Sequence, residues 1–143
     1  MLRLLIAVDG SEHADRAIDA AVALARHGCA VQVSLLNVRE WPVPAMGEVL
    51  ASSYDALDQA LRQAQDRLIA TAEQRAIAGG LTLLPSRKQA GFASDEILRE
   101  AAQWQPTQIV MGTRGLGALR SLFMGSVAQR VVHGAQVPVL LVK

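Results

Sequence analysis

The chain is poor in cysteine and in aromatic residues. It has one cysteine, Cys29, and its aromatics are Trp41, Tyr54, Phe92, Trp104 and Phe123. A single cysteine excludes an intrachain disulfide, so a reducing, cytoplasmic setting is expected. Cys29 follows Gly28, which should end a helix, and is expected to be a buried thiol rather than a nucleophile. With so few rings, the core must be built from Ala, Val, Leu and Ile, which suits helices packed closely over a parallel sheet. No aromatic and basic interleaving of an RNA-reading surface is present, and a net charge of +1 argues against nucleic acid as a partner. No apolar stretch reaches the roughly 18 residues needed to cross a bilayer, so no membrane partner is expected. The opening MLRLLIAVDGSEHAD breaks into Asp9 and Gly10 too soon for a signal peptide.

Two further absences fall in the last third of the chain. Residues 101–143 contain no Asp or Glu, while they carry Arg114, Arg120, Arg130 and Lys143. This is the segment least hostile to a polyphosphate. No lysine lies between Lys88 and Lys143, which rules out a G-x4-G-K-[ST] loop there. A G-x-G-x-x-G reading from Gly115 and Gly117 fails at Arg120, so a dinucleotide fingerprint is not supported.

What the segment does contain is IVMGTRGLGALRSLFMGS, in which Gly112, Gly115, Gly125 and Ser126 are spaced G-x2-G-x9-G-S. An apolar strand delivers the chain to a glycine-rich loop, and a Gly-Ser pair then opens a helix. Glycines let backbone N–H groups approach an anion, and the helix start adds unpaired N–H groups and a positive dipole end. Gly115 is expected to serve by its missing side chain and by a positive φ. The same glycines would also suit an ordinary strand-to-helix connection.

At 143 residues the chain is read as one domain, 1–143. Strands are expected at Leu2–Val8, Ala30–Val38, Leu81–Lys88, Thr107–Met111 and Val137–Val142. Helices are expected from Ser11 to His27, from Tyr54 to Ala78, from Gly91 or Ser94 to the region of Pro106, and over Ser126–Ala135. Residues 39–53, with Pro42, Pro44 and Gly47, read as a long loop of the kind that forms lids. The alternation gives a five-stranded parallel α/β sheet, strand order 3-2-1-4-5, with helices on both faces. Ligands of such sheets bind beyond the carboxyl ends of the strands where the order reverses, here between strands one and four. Asp9 ends strand one and Gly112 ends strand four, so the acid and the glycine loop meet there. Asp9 has two readings that do not exclude each other: helix entry through Asp-Gly-Ser, and acceptance of a hydrogen bond from a nucleoside.

The glycine spacing, the opening LLIAVDGSEHADRAIDAAVALA, the strand LLNV and the ending GSVAQRVVHGAQVPVLLVK together resemble the universal stress protein family, over essentially the whole chain. The resemblance is to the subgroup that keeps the glycine motif and binds ATP. It implies a Rossmann-like, adenine nucleotide alpha hydrolase-like sheet and a homodimer joined through the last strand, Val137–Val142. It implies an adenine nucleotide as ligand, ATP with or without Mg2+. Ala7, Val8 and Asp9 would line the adenosine, and the Val38 backbone would read the adenine. Met111, Gly112, Arg114, Gly115 and Gly117 would wrap ribose and phosphates, and Gly125, Ser126 and Val127 would close on the phosphates. Ala128 stands where many such members place Ser or Thr, which removes one side-chain contact to phosphate.

Three functions stay open on the residues: a nucleotide-binding stress-response module, a slow ATPase, and a dimeric interaction protein that binds no nucleotide. Phosphoryl transfer needs carboxylates for a metal and a group to position the nucleophile. The glycine segment has no acid, and His13, His27 and His133 have no metal-ligand spacing. No catalytic residue and no metal ligand is assigned, and the binding module leads.

Overall fold

The computed structural model describes residues 1–40, 51–116 and 124–143. It is a doubly wound α/β sheet. Strand β1 (Leu2–Ala7) leads into α1 (Glu12–Arg26), then β2 (Val31–Arg39) and α2 (Ala51–Ala78). Two short strands follow, β3 (Thr82–Leu83) and β4 (Arg87–Ala90), then α3 (Ala93–Trp104) and β5 (Gln108–Gly112). Helix α4 (Ser126–Gly134) and β6 (Val139–Val142) complete the described order.

All strand pairs are parallel, in the order β3-β2-β1-β5-β6, with β4 also paired to β2. This is the expected 3-2-1-4-5 order with one correction: the third strand is two strands. Pro85 lies between them and cannot donate to a ladder. Its carbonyl instead accepts from Ser34 Oγ at 2.9 Å. Several boundaries also move by one to three residues, and three of these shifts bear on the loops and the last strand. Strand β2 runs on to Arg39, α2 begins at Ala51 rather than Tyr54, and β6 begins after Pro138. The expected loop at 39–53 is therefore shorter, and its centre, 41–50, lies outside the described residues.

The alternation of β1 explains why both sheet faces are covered. Leu4 and Ile6 point into one core, with Val33, Leu35 and Val110, under α1 and α2. Leu5 points the other way, with Leu36, Ile109 and Met111, under α3 and α4. Leu4, Leu5 and Ile6 have no accessible surface, and each contributes about 2 kcal/mol of hydrophobic stabilisation.

Ser11 caps α1, its hydroxyl accepting from Ala14 N at 3.2 Å, as Asp-Gly-Ser predicts. Helix α2 ends on Gly80, whose φ of +87° lets Leu81 N donate back to Ala76 O at 3.1 Å. Cys29 is exposed, contrary to expectation. Gly28 turns the chain at a φ of +87° before β2 begins, so Cys29 lies on the connection and not in the covered part of the strand.

Helices α1 and α2 are tied at the surface by Arg75, which donates to both oxygens of Asp19 at 2.9 and 2.6 Å. That hydrogen bonding holds the Asp19 carboxyl below its ordinary value. A depressed folded-state value means the pair stabilises above the unfolded value and loses its effect as pH falls through the lowered one. Both side chains are about half exposed, which limits the contribution to less than about 1 kcal/mol. Asp19→Asn should therefore lower the melting temperature slightly at neutral pH and leave it unchanged in strong acid, as thermal melts across pH would show.

Candidate functional site

Sheet order reverses between β1 and β5, and a cleft of about 640 Å³ opens beyond the carboxyl ends of the strands there. Three backbone turns frame it. The first leaves β1. Val8 N donates to Leu36 O at 2.8 Å, which prolongs the β1–β2 ladder, and Val8 O accepts from the buried Asn37 Nδ2 at 2.7 Å. Asp9 follows with both carboxylate oxygens engaged. Oδ1 accepts from Ser11 N at 2.9 Å, fixing the entry of α1. Oδ2 accepts from Leu116 N at 3.2 Å, across the cleft in the glycine loop. Asp9 therefore joins the helix-entry turn to the loop.

The second turn leaves β5. Thr113 N donates to Val142 O at 2.9 Å, and Thr113 O accepts from Gly125 N at 2.8 Å. The start of the glycine loop is thus clamped between the last strand and the cap of α4. The third turn is that cap. Gly125 is the N-cap of α4 and has no side chain to accept from the first-turn N–H groups, nor is there an acid in that turn. Helix starts leave N–H groups without intrahelical partners, so Ser126 and Val127 present donors toward the cleft.

Glycine in this loop is required by contact distance. A Cβ on Gly115 would stand 2.5 Å from Asp9 Oδ2, and one on Gly125 3.3 Å from Thr113 O. Neither has the positive φ expected of Gly115. Gly112 lines the cleft too, but its missing side chain makes room for α1: a Cβ there would come within 2.6 Å of His13 Cβ and 2.9 Å of the His13 carbonyl carbon. His13 packs against β5 in this way and is not among the residues that line the cleft, and His133 is exposed on α4.

Ala7, Val8, Asp9, Val38, Met111, Gly112, Arg114, Gly115, Gly125, Ser126 and Val127 all line this one cleft. Gly117 and Arg120 lie outside the described residues. Ala128 is buried in the lining. Sequence reasoning missed the wall opposite the glycine loop, formed by Leu61, Ala64, Gln65 and Leu68 of α2, and by Ala93 and Ile97 of α3. Leu57, Leu61, Ala64, Leu68 and Ala72 do recur at helical spacing. Only the far part of that stripe, near Ala72, is core; Leu61 and Ala64 face the cleft. Asn37 and Arg39 were missed too, because nothing in a strand pattern marks its last residues as lining a site.

The lining is mainly apolar, with a smaller polar part, and has Asp9 and Glu40 as its acids and Arg39 and Arg114 as its cations. Such a cleft suits a ligand with a flat apolar part at the β1–β2 end and an anion at the α4 end. Among the described residues there is no group of three or more His, Cys, Asp or Glu placed to hold a metal, and no helix long and apolar enough to cross a membrane.

The universal stress protein family profile matches residues 1–143. A universal stress protein of Thermus aquaticus, described by its place in the QAH/OAS sulfhydrylase 3′ region, is 42% identical over 147 residues, covering 98% of this chain and 97% of that one. Among solved structures, a universal stress protein family protein from Arabidopsis thaliana with AMP bound superposes with a TM-score of 0.73 at 18% identity, over 100% of this chain and 92% of that one. The universal stress protein from Archaeoglobus fulgidus in complex with dAMP superposes at 0.60 and 23% identity, over 100% and 98%. With the fold, the cleft and the whole-length match in agreement, the chain belongs to the universal stress protein family.

Proposed function

We propose that this cleft binds an adenine nucleotide, ATP above others, and that the protein is a cytoplasmic stress-response regulatory module rather than an enzyme. The observation that carries the reading is Asp9, which joins the two halves of the cleft through Ser11 N and Leu116 N. In this reading Ala7, Val8, Asp9 and Val38 hold the nucleoside. Met111, Gly112, Arg114, Gly115 and Gly117 follow the ribose and phosphates, and Gly125, Ser126 and Val127 receive the phosphates at the start of α4. The residues fit such a group. The cleft's 640 Å³ falls within the roughly 300–1,000 Å³ usual for small-molecule sites, and glycine faces Asp9 where a side chain would collide with it. The AMP and dAMP held by the Arabidopsis and Archaeoglobus proteins support the same ligand class. Any Mg2+ would arrive on the phosphates.

Calorimetric titration with ATP, AMP, GTP and inorganic triphosphate tests this. ATP and AMP should bind more tightly than GTP and triphosphate, and denaturing freshly purified protein should release an adenine nucleotide. Undetectable ATP binding at millimolar ligand would reject the reading.

We further propose a homodimer joined through β6. Among the described residues this strand pairs only with β5, and Val139, Leu140, Leu141 and Val142 are all half-buried in the single chain. An apolar strand edge of this kind is stabilised when a second copy pairs with it about a two-fold axis. Light scattering should give twice the chain mass, and Leu140→Glu should give monomer or precipitate. A monomeric unmodified protein at micromolar concentration would reject the dimer.

A further inference from the structure

The first half of α2 walls the cleft but is hardly packed. Residues 53–57 are all exposed, and Gln65 is the first buried residue of the helix among those described. Between them, Leu61 and Ala64 line the cleft. Among the described residues this stretch is held to the sheet at its start and at its end, where Asp66, next to Gln65, also meets Lys88 Nζ of β4 at 2.6 Å. At its end, Gln65 Nε2 donates to Asn37 O at 3.2 Å and to Gln89 O at 2.9 Å, bridging β2 and β4. At its start, Arg39 Nη1 meets Asp58 Oδ1 at 2.6 Å. Positions 58, 61 and 65 recur at three and four residues and share one helical face, so both holds and the wall face the sheet together.

The sheet end of this ion pair is rigid. Arg39 pairs with Ala90 of β4, its carbonyl accepts from Gly91 N at 3.0 Å, and its side chain is only 7% exposed. Asp58 is also held by Arg62 Nε at 2.6 Å, but Arg62 is 65% exposed and lies on the same helix, so this pair does not tie the helix to the sheet. The hydrogen bond from Arg62 first, and then that from Arg39, keeps the Asp58 carboxyl below its ordinary range against its partial burial. Arg39 directly follows Val38 at the β2 side of the cleft, while α4 begins on the β5 side.

We propose that the Arg39–Asp58 ion pair is a positioning clamp. It holds the first half of α2 over the nucleoside end of the cleft and sets how tightly an adenosine-bearing ligand is retained, without acting on the phosphates. This rests on the adenine-nucleotide reading of the cleft. The pair is 2.6 Å apart and the Arg39 side chain is almost out of water, so the helix cannot drift from the sheet without separating charges in a largely desolvated place.

Asp58→Asn tests the clamp, because it keeps the shape and removes the charge at a position open to solvent on one side. AMP and ATP should bind about tenfold more weakly, the effect of losing one charge-assisted hydrogen bond. Inorganic triphosphate, measured in competition with ATP, should bind as before. Amides of residues 58–65 should exchange faster with solvent. Asp58→Glu should recover part of the loss, and Arg62→Ala should change neither ligand. If Asp58→Asn binds AMP as the unmodified protein does, or loses AMP and triphosphate equally, the clamp is wrong. Unmodified protein that binds no adenine nucleotide overturns the reading of the cleft and this proposal with it, whereas normal binding that survives Asp58→Asn overturns this proposal alone.

Discussion

Gly115→Val should weaken nucleotide binding by about ten- to a hundredfold, a larger effect than its lowering of stability. The added Cβ would stand 2.5 Å from Asp9 Oδ2, so the loop or the carboxylate must move. Either movement breaks the hydrogen bond from Leu116 N that draws the glycine loop to the end of β1. Bonds to a charged acceptor are worth about 1.5–3 kcal/mol, which sets the tenfold to hundredfold range. The fold should tolerate most of the change because Gly115 is exposed and lies outside the helices and strands. Calorimetry with ATP beside a thermal melt separates the two effects. Unchanged affinity with a falling melting temperature would make Gly115 a structural glycine and remove it from the site.

Gly112→Ala should do the reverse. Its Cβ would meet the His13 carbonyl carbon at 2.9 Å and His13 Cβ at 2.6 Å, both fixed by the first turn of α1. Backbone cannot rotate out of the way as a side chain can, so α1 must lift from β5. Overpacking of this kind costs about 1–3 kcal/mol, and a domain of this size should lose roughly 5–10 °C. Chemical denaturation should show an earlier midpoint, and ATP affinity of the remaining folded protein should fall less than in Gly115→Val. A variant as stable as the original would mean that α1 and β5 are not packed as described. The two glycines belong to one motif and are expected to fail differently.

That difference was not legible in the sequence. Spacing places Gly112, Gly115 and Gly125 at a strand end and a helix start, and it reads all three alike as room for an anion. Only the packing of α1 shows that Gly112 makes room for a helix. The sheet order was legible because the apolar runs at Leu4–Ile6, Val33–Leu36 and Ile109–Met111 are those of strands covered on both faces. The split of the third strand was less so, since Leu81, Leu83 and Leu84 precede Pro85 and Ser86, Arg87 and Lys88 follow it, which leaves no clean period to interrupt. The α2 wall was misread for a physical reason. A helix presents the same i, i+3, i+4 stripe whether it covers a core or lines a cleft, and Leu61 and Leu68 lie on one stripe. Cys29 shows the complementary error: a residue type that favours burial gave way to its place on a glycine turn.

The two edges of the sheet are unlike, and this bears on how large an assembly of the protein can become. On the β2 side the edge is broken into runs of two and four residues around Pro85, with the exposed Lys88 in the longer one. Short, charged, interrupted strands are poor templates for another chain. On the opposite side β6 is apolar from Val139 to Val142. A two-fold pairing through β6 uses that edge on both copies at once, and the doubled sheet then ends on each side in the broken edge. In the dimer proposed above, raising the concentration of the protein should therefore fill the population of pairs and then stop, with no route by which the sheet extends into a filament.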